Sequence, residues 1–100
     1  MQLTETTTAV VRRLFDEAEH GVVADVLTEQ CGINLPLVAA WTDAEFERLW
    51  LAVLKLSDGD LASLRRAVQI AQTDWRDVLV ASGFGHSLSA HRQWADRLKT

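Results

Sequence analysis

Apolar positions recur along this chain at spacings of three and four, the period of amphipathic helices, and one arrangement of them is written three times. It reads Glu45-Phe46-x-x-Leu49-x-x-Ala52, then Asp60-Leu61-x-x-Leu64-x-x-Ala67, then Asp74-Trp75-x-x-Val78-x-x-Ala81, the copies starting 15 and 14 positions apart. In each copy the apolar residues share one helical face, and the leading carboxylate stands where the positive end of a helix dipole favours it. An internal repeat would read this way, and so would any run of short amphipathic helices. No segment alternates apolar and polar residues over the length a strand needs. The expected fold is all-α: a compact bundle of five or six short helices joined by tight capped turns, in one domain over residues 1–100.

Punctuation along the chain divides it further. Thr4 can cap a first helix over about residues 4–20, with Val10, Val11, Leu14, Phe15 and Ala18 on one side. Beyond Gly21 the apolar set Val22, Val23, Val26 and Leu27 centres on a direction rotated by about 100°, which a straight helix cannot bury against one surface. A break is therefore expected near His20-Gly21, with a second helix over about 22–31. Gly32 suits a left-handed C′ position, from which Ile33 can fold back toward Leu27. Residues 33–42 hold the single proline, Pro36, and read as a buried connector or one to two helical turns.

The clearest helix start follows. Thr42-x-x-Glu45 fits a capping box, and Trp41 and Phe46 occupy the two positions of a hydrophobic staple. The helix expected over 43–56 is apolar around most of its circumference and reads as the centre of the bundle. Ser57 is expected to cap a helix over 59–72, with Asp60 as the reciprocal carboxylate and Leu56 stapled to Leu61. Asp74 caps a helix over 74–82, which Gly83-Phe84 ends. Ser87 caps a last helix over 87–99, with the stripe Leu88, His91, Trp94, Ala95 and Leu98.

Composition narrows the setting. One hundred residues, 48% of them hydrophobic and four of them Trp, supply a real core for one domain. The single cysteine, Cys31, cannot form an intrachain disulfide, and a reducing, cytoplasmic home is expected. The N-terminus lacks the basic start and apolar run of a secretory signal, and uncharged stretches are too short to cross a bilayer, so a soluble chain with no membrane contact is expected. Residues 1–42 carry Arg12 and Arg13 against six acids, which accounts for the whole net charge of −4. That acidic half argues against binding to phosphates.

Candidate chemistry is sparse, and no catalytic residue, metal site or cofactor is indicated. His91 falls within an apolar stripe, where it reads either as a shifted acid or base or as a core histidine with hydrogen-bonded nitrogens. His86 and His91 are five apart, a poor spacing for two ligands on one helical face. Gly83-Phe84-Gly85-His86-Ser87 lacks the Lys-Ser/Thr ending of a phosphate loop. Cys31, in the last turn of a helix, sits where a thiolate is disfavoured. A helix-turn-helix reading of residues 61–82 would send into a DNA groove a helix with one arginine, Arg76, between Asp74 and Asp77.

The run Asp74-Trp75-Arg76-Asp77-Val78-Leu79-Val80-Ala81-Ser82-Gly83-Phe84, with the helix before it, resembles a segment of small uncharacterised bacterial all-helical proteins. The resemblance covers about the last half of the chain and implies an all-helical fold and no activity. Eight arginines against two lysines would suit a GC-rich bacterial genome.

Two function classes remain open. The first is a non-enzymatic module that binds a protein partner or its own copy as a homodimer, through Leu51 and Ile70, which miss their helices' buried stripes, with Arg76 as a polar contact. The second is a small-molecule binder or minor enzyme with a pocket between helices, lined by Trp50, Trp75 and Trp94 and anchored by His91 or Arg76.

Overall fold

The computed structural model describes residues 1–99. Its helices are α1 (Glu5–Leu14), α2 (His20–Gln30), α3 (Asp43–Ser57), α4 (Leu61–Ser82) and α5 (Ala90–Lys99), with one 3-10 turn at Glu17–Glu19. No strand occurs among the described residues, and no helix is long and apolar enough to cross a membrane. The all-α bundle read from the apolar pattern is the observed architecture. Helix α3 is its centre, burying Phe46, Leu49, Trp50, Leu51, Ala52, Val53 and Leu54. It packs most extensively on α4 and also on α1 and α5, while α2 lies against α1 and α4.

The start of α3 forms as its sequence predicts. Trp41 and Phe46 meet edge to face at 5.2 Å between ring centres, and Thr42 and Glu45 form the capping box. Its bonds onto Glu45 are long, 3.4 Å from the Thr42 N–H and 3.2 Å from the Thr42 hydroxyl. The Glu45 N–H also reaches the Thr42 carbonyl at 3.1 Å.

The chain breaks between α1 and α2 earlier than expected. Helix α1 stops at Leu14 because Phe15 turns extended (φ −116°, ψ 153°) and drives its ring into the core. The Nε2–H of His20 then donates to the carbonyl of Phe15 at 2.8 Å, replacing a lost helical bond. Ala18 is exposed outside any stripe, and Gly21 sits inside the first turn of α2. The rotation of the apolar face was the right signal for a break, but a buried aromatic sets its place.

The end of α2 also departs from expectation. Gly32 is not left-handed, since only Gly59 and Gly83 among the glycines have positive φ, and Ile33 is 76% exposed. No fold-back is needed because other groups cap the final carbonyls. The Trp50 indole N–H donates to Leu27 (3.2 Å) and Cys31 (2.9 Å), while Asn34 Nδ2 and Gln72 Nε2 both donate to Gln30. Gly32 is needed for closeness instead: a Cβ there would lie 2.7 Å from the Thr28 carbonyl oxygen. In the connector Leu35 and Val38 are buried, and Leu37 is exposed with φ 64°.

Three further boundaries are corrected. Asp60, not Ser57, caps α4, accepting the Ser63 N–H at 2.9 Å; Ser57 closes α3 with its hydroxyl on the Leu54 carbonyl. That shift takes Leu56 and Leu61 out of staple register. Helix α4 runs on to Ser82, yet Asp74 inside it is non-helical (φ −156°, ψ 101°) and its Oδ1 accepts the Arg76 N–H at 3.1 Å. Asp74 is thus the cap expected for a new helical segment, placed at a bend rather than at a gap. A single non-helical residue is not the three- to four-residue turn of a helix-turn-helix. Finally, α5 begins at Ala90, with the Ser87 hydroxyl accepting the N–H groups of Ser89 and Ala90 at 3.2 Å each. Leu88 leaves the stripe and is 82% exposed.

The stop after Ser82 is the one expected. Gly83 takes φ 86°, its N–H reaches the Val80 carbonyl at 3.1 Å, and the Phe84 N–H reaches Leu79 at 2.9 Å. These are the two bonds of a Schellman motif, and Phe84 is buried behind them.

Candidate functional site

Helix α4 turns Leu64, Ala67, Val68, Ala71, Val78 and Leu79 inward against the bundle. Its opposite face is consequently left open. There Arg66, Gln69, Ile70, Thr73 and Asp77 line a shallow surface depression of about 460 Å³ that spans the bend at Asp74. Ile70 is 45% exposed and Val80, farther along the same helix, is 73% exposed. Of the two apolar residues expected at a surface, Ile70 is there and Leu51 is not. Leu51 is fully buried, because α3 is enclosed by helices on several sides and has no outer face.

Arg76 is not among the residues lining the depression, and its fork is taken. Its Nε donates to Asp74 Oδ1 and its Nη2 to Asp74 Oδ2, both at 2.9 Å. The hydrogen bonds from Arg76 hold the Asp74 carboxyl below its ordinary range, and Asp74 in turn raises the Arg76 guanidinium. The pair is a clamp across the bend.

The residues proposed for an inter-helix pocket do not face one cavity. Trp50 is sealed in the core, its ring 5.8 Å from Phe46. Trp75 is half-buried 4.6 Å from Trp41, with its indole N–H on the Pro36 carbonyl at 2.9 Å. His91 and Trp94 both flank Phe84, at 6.2 and 6.0 Å. Beside Trp41 and Trp75 a cleft of about 130 Å³ is also lined by Glu45, Arg48 and Leu79.

His91 is a core histidine, but its nitrogens are not hydrogen-bonded as a core histidine's are expected to be: both are buried without a partner. Burial foremost, then the charges of Arg92 and Arg48, lower its affinity for a proton, with Glu47 opposing them. A neutral ring follows. Burial likewise pushes the Cys31 thiol up to about 12, which keeps it protonated and unreactive. No group of three or more His, Cys, Asp or Glu among the described residues could hold a metal ion.

Two polar devices escaped the sequence reading. Glu47 is buried on α3 and accepts a short hydrogen bond from the Thr4 hydroxyl, tying the N-cap of α1 to the central helix. A carboxylate on a helix apolar around most of its circumference was the available signal. The second device is a pair of cations one heptad apart on α3. Arg48 Nη2 donates to the carbonyls of Phe84 and Ser87. Lys55 Nζ donates to the Ser82 carbonyl at 2.7 Å and stands 5.0 Å over the Phe84 ring. The Ser82 and Phe84 carbonyls lie at the end of α4, where a helix C-terminus gathers negative charge, and the Ser87 carbonyl lies before α5, so the two cations hold the loop between these helices.

Comparison with known proteins finds no family model, no curated protein and no solved structure that matches this chain.

Proposed function

We propose that this chain is a non-enzymatic helical module that works by protein–protein contact through the outer face of α4. The observation that carries the reading is the exposure of Ile70 opposite the buried stripe of α4, in a depression of about 460 Å³. An exposed isoleucine set among Arg66, Gln69, Thr73 and Asp77 on an open helix face is the kind of surface a partner covers. Other exposed apolar residues are scattered: Val22 on α2, Ile33 and Leu37 in the connector, Val80 near the end of α4 and Leu88 before α5, and none of them lines this depression. Photo-crosslinking in the cell from position 70, with position 25 on α2 as control, tests the reading. Discrete adducts from position 70 alone are expected; none from position 70 overturns it.

The second reading, a small-molecule binder, is favoured by the cleft at Trp41 and Trp75, where two aromatic rings meet Arg48, whose Nε is buried and unpartnered. Its volume of about 130 Å³ falls below the roughly 300–1,000 Å³ of ligand pockets, which places it behind the surface reading. Trp fluorescence titrated with small carboxylates tests it, and saturable quenching abolished by Arg48→Met is the outcome it requires.

A further inference from the structure

We infer that His91 is a proton-operated latch on α5: a proton on its ring releases α5 from α1 and α3 while the interface of α3 with α4 holds. The ring lies in the buried face of α5, 3% exposed and 6.2 Å from Phe84, whose ring Trp94 also flanks. Neither ring nitrogen has a hydrogen-bond partner. A neutral imidazole carries one N–H donor and one acceptor, whereas the charged ring carries two donors and a full positive charge. In this seat both N–H groups would stay bare, and a buried charge without partners costs far more than a buried neutral group. The charged ring therefore gains acceptors only by moving out to water.

The surrounding charges oppose the proton on balance. Arg48 on α3, held by its bonds to the Phe84 and Ser87 carbonyls, and Arg92 on α5 itself both disfavour a further positive charge, adding to the effect of burial. Glu47 on α3 is the carboxylate that favours it, and it already accepts from the Thr4 hydroxyl. Lys55 of α3 stands 5.0 Å over the same Phe84 ring, and exposed His86 precedes the helix. On α1, Glu5 opens onto a surface groove, and Arg12 and Arg13 share another with Lys99, about two turns along α5 from His91.

Release is local because little else holds α5. Its buried side chains are His91 and Ala95, with Ala90, Trp94 and Leu98 partly buried, whereas the most extensive packing in the bundle joins α3 to α4. Arg48 and Lys55 tie down the loop ahead of α5, not the helix. A helix of 10 residues is marginal in isolation. Once undocked, α5 melts and bares Phe84 together with the faces of α1 and α3 that it covered.

Native-state hydrogen exchange of the full chain at pH 7.5 and pH 5, each rate divided by the intrinsic rate at that pH, tests the latch. An exposed histidine titrates near about 6.5, so the opening equilibrium of α5 can rise by at most about thirtyfold between these pH values. The hydrogen-bonded amides of α5 are expected to show a rise of about ten- to thirtyfold. At both pH values they should exchange at least about tenfold more readily than those of residues 49–54, with little response to low urea, the mark of a local opening. His91→Gln and His91→Leu, whose side chains take up no proton in this range, should lose the rise, and His86→Gln should keep it. Circular dichroism checks that each variant is folded. Exchange of α5 in step with residues 49–54, or a rise in the parent below about threefold, overturns the proposal. So does a rise that persists in a folded His91 variant or disappears in His86→Gln.

Discussion

Removing the Thr4 hydroxyl should loosen the bundle more than its place four residues from the start suggests. Thr4 Oγ1 accepts the Thr7 N–H at 3.2 Å, capping α1, and donates to Glu47 on α3. With its one proton given to Glu47, it must accept from the Thr7 hydroxyl at 2.8 Å, and Thr7 is fully buried. Thr4→Val keeps the shape and deletes all three bonds. Loss of the cap is worth about 1 kcal/mol, and a hydrogen bond to a carboxylate about 1.5–3 kcal/mol, so the variant should lose about 2.5–4 kcal/mol out of a total of about 5–15 kcal/mol. With a urea slope of about 1–3 kcal/mol per molar, the unfolding midpoint falls by about 1–4 M. Thr4→Ser should retain most of the stability. Glu47→Leu combined with Thr4→Val should cost less than the sum of the two single changes, because no buried carboxylate is left without its donor. A loss below about 1 kcal/mol for Thr4→Val, or additive single changes, would refute the reasoning.

His91 sets a pH dependence. Its folded-state proton affinity is lowered by burial; above the ordinary histidine value folded and unfolded chains are both neutral there, and as pH falls through it the unfolded chain alone takes up a proton. Stability should therefore drop from pH 7.5 to 5, and urea unfolding of His91→Gln should show a smaller drop; equal drops would assign the effect elsewhere. Two glycines should rank in a fixed order by thermal unfolding. Gly83→Ala meets a left-handed φ and only an ordinary contact, Lys55 Nζ at 3.8 Å, and should cost about 1–2 kcal/mol. Gly59→Ala meets both φ 79° and the Leu14 carbonyl oxygen at 2.7 Å and should cost more; the reverse order would contradict the packing.

Local rules are legible at several places where a signal and its target lie within one turn. The staple at Trp41 and Phe46, the cap at Asp74 and the stop at Gly83-Phe84 all involve neighbours in sequence, and all form. Misreadings arose where a distant group took over a local role. Gly32 was expected to go left-handed, but the indole of Trp50, 19 residues from Cys31, satisfies the carbonyls that such a turn would serve. At the start of α4 the local pattern itself misleads: it favours Ser57 as the cap with Asp60 as the reciprocal carboxylate, whereas Asp60 is the cap. The break after α1 sits at Phe15 because its ring belongs to the core, which rotation of the apolar face does not reveal. The same limit applies to the surface. Ile70 and Leu51 look alike from their own helices; only the neighbours packed around α3 bury Leu51 while the outer face of α4 stays open. Glu47 meets Thr4 across the bundle and His91 is buried beside Phe84, so their surroundings follow from tertiary placement.

The chain contains two isoleucines, Ile33 and Ile70, both exposed, which makes one measurement especially direct. In a sample labelled at isoleucine methyl groups, two signals report the connector and the outer face of α4 separately. When clarified cell extract is added to the labelled chain, the Ile70 signal should shift or broaden while the Ile33 signal stays in place. Both signals unmoved, or Ile33 moving while Ile70 does not, would contradict protein contact through the α4 face.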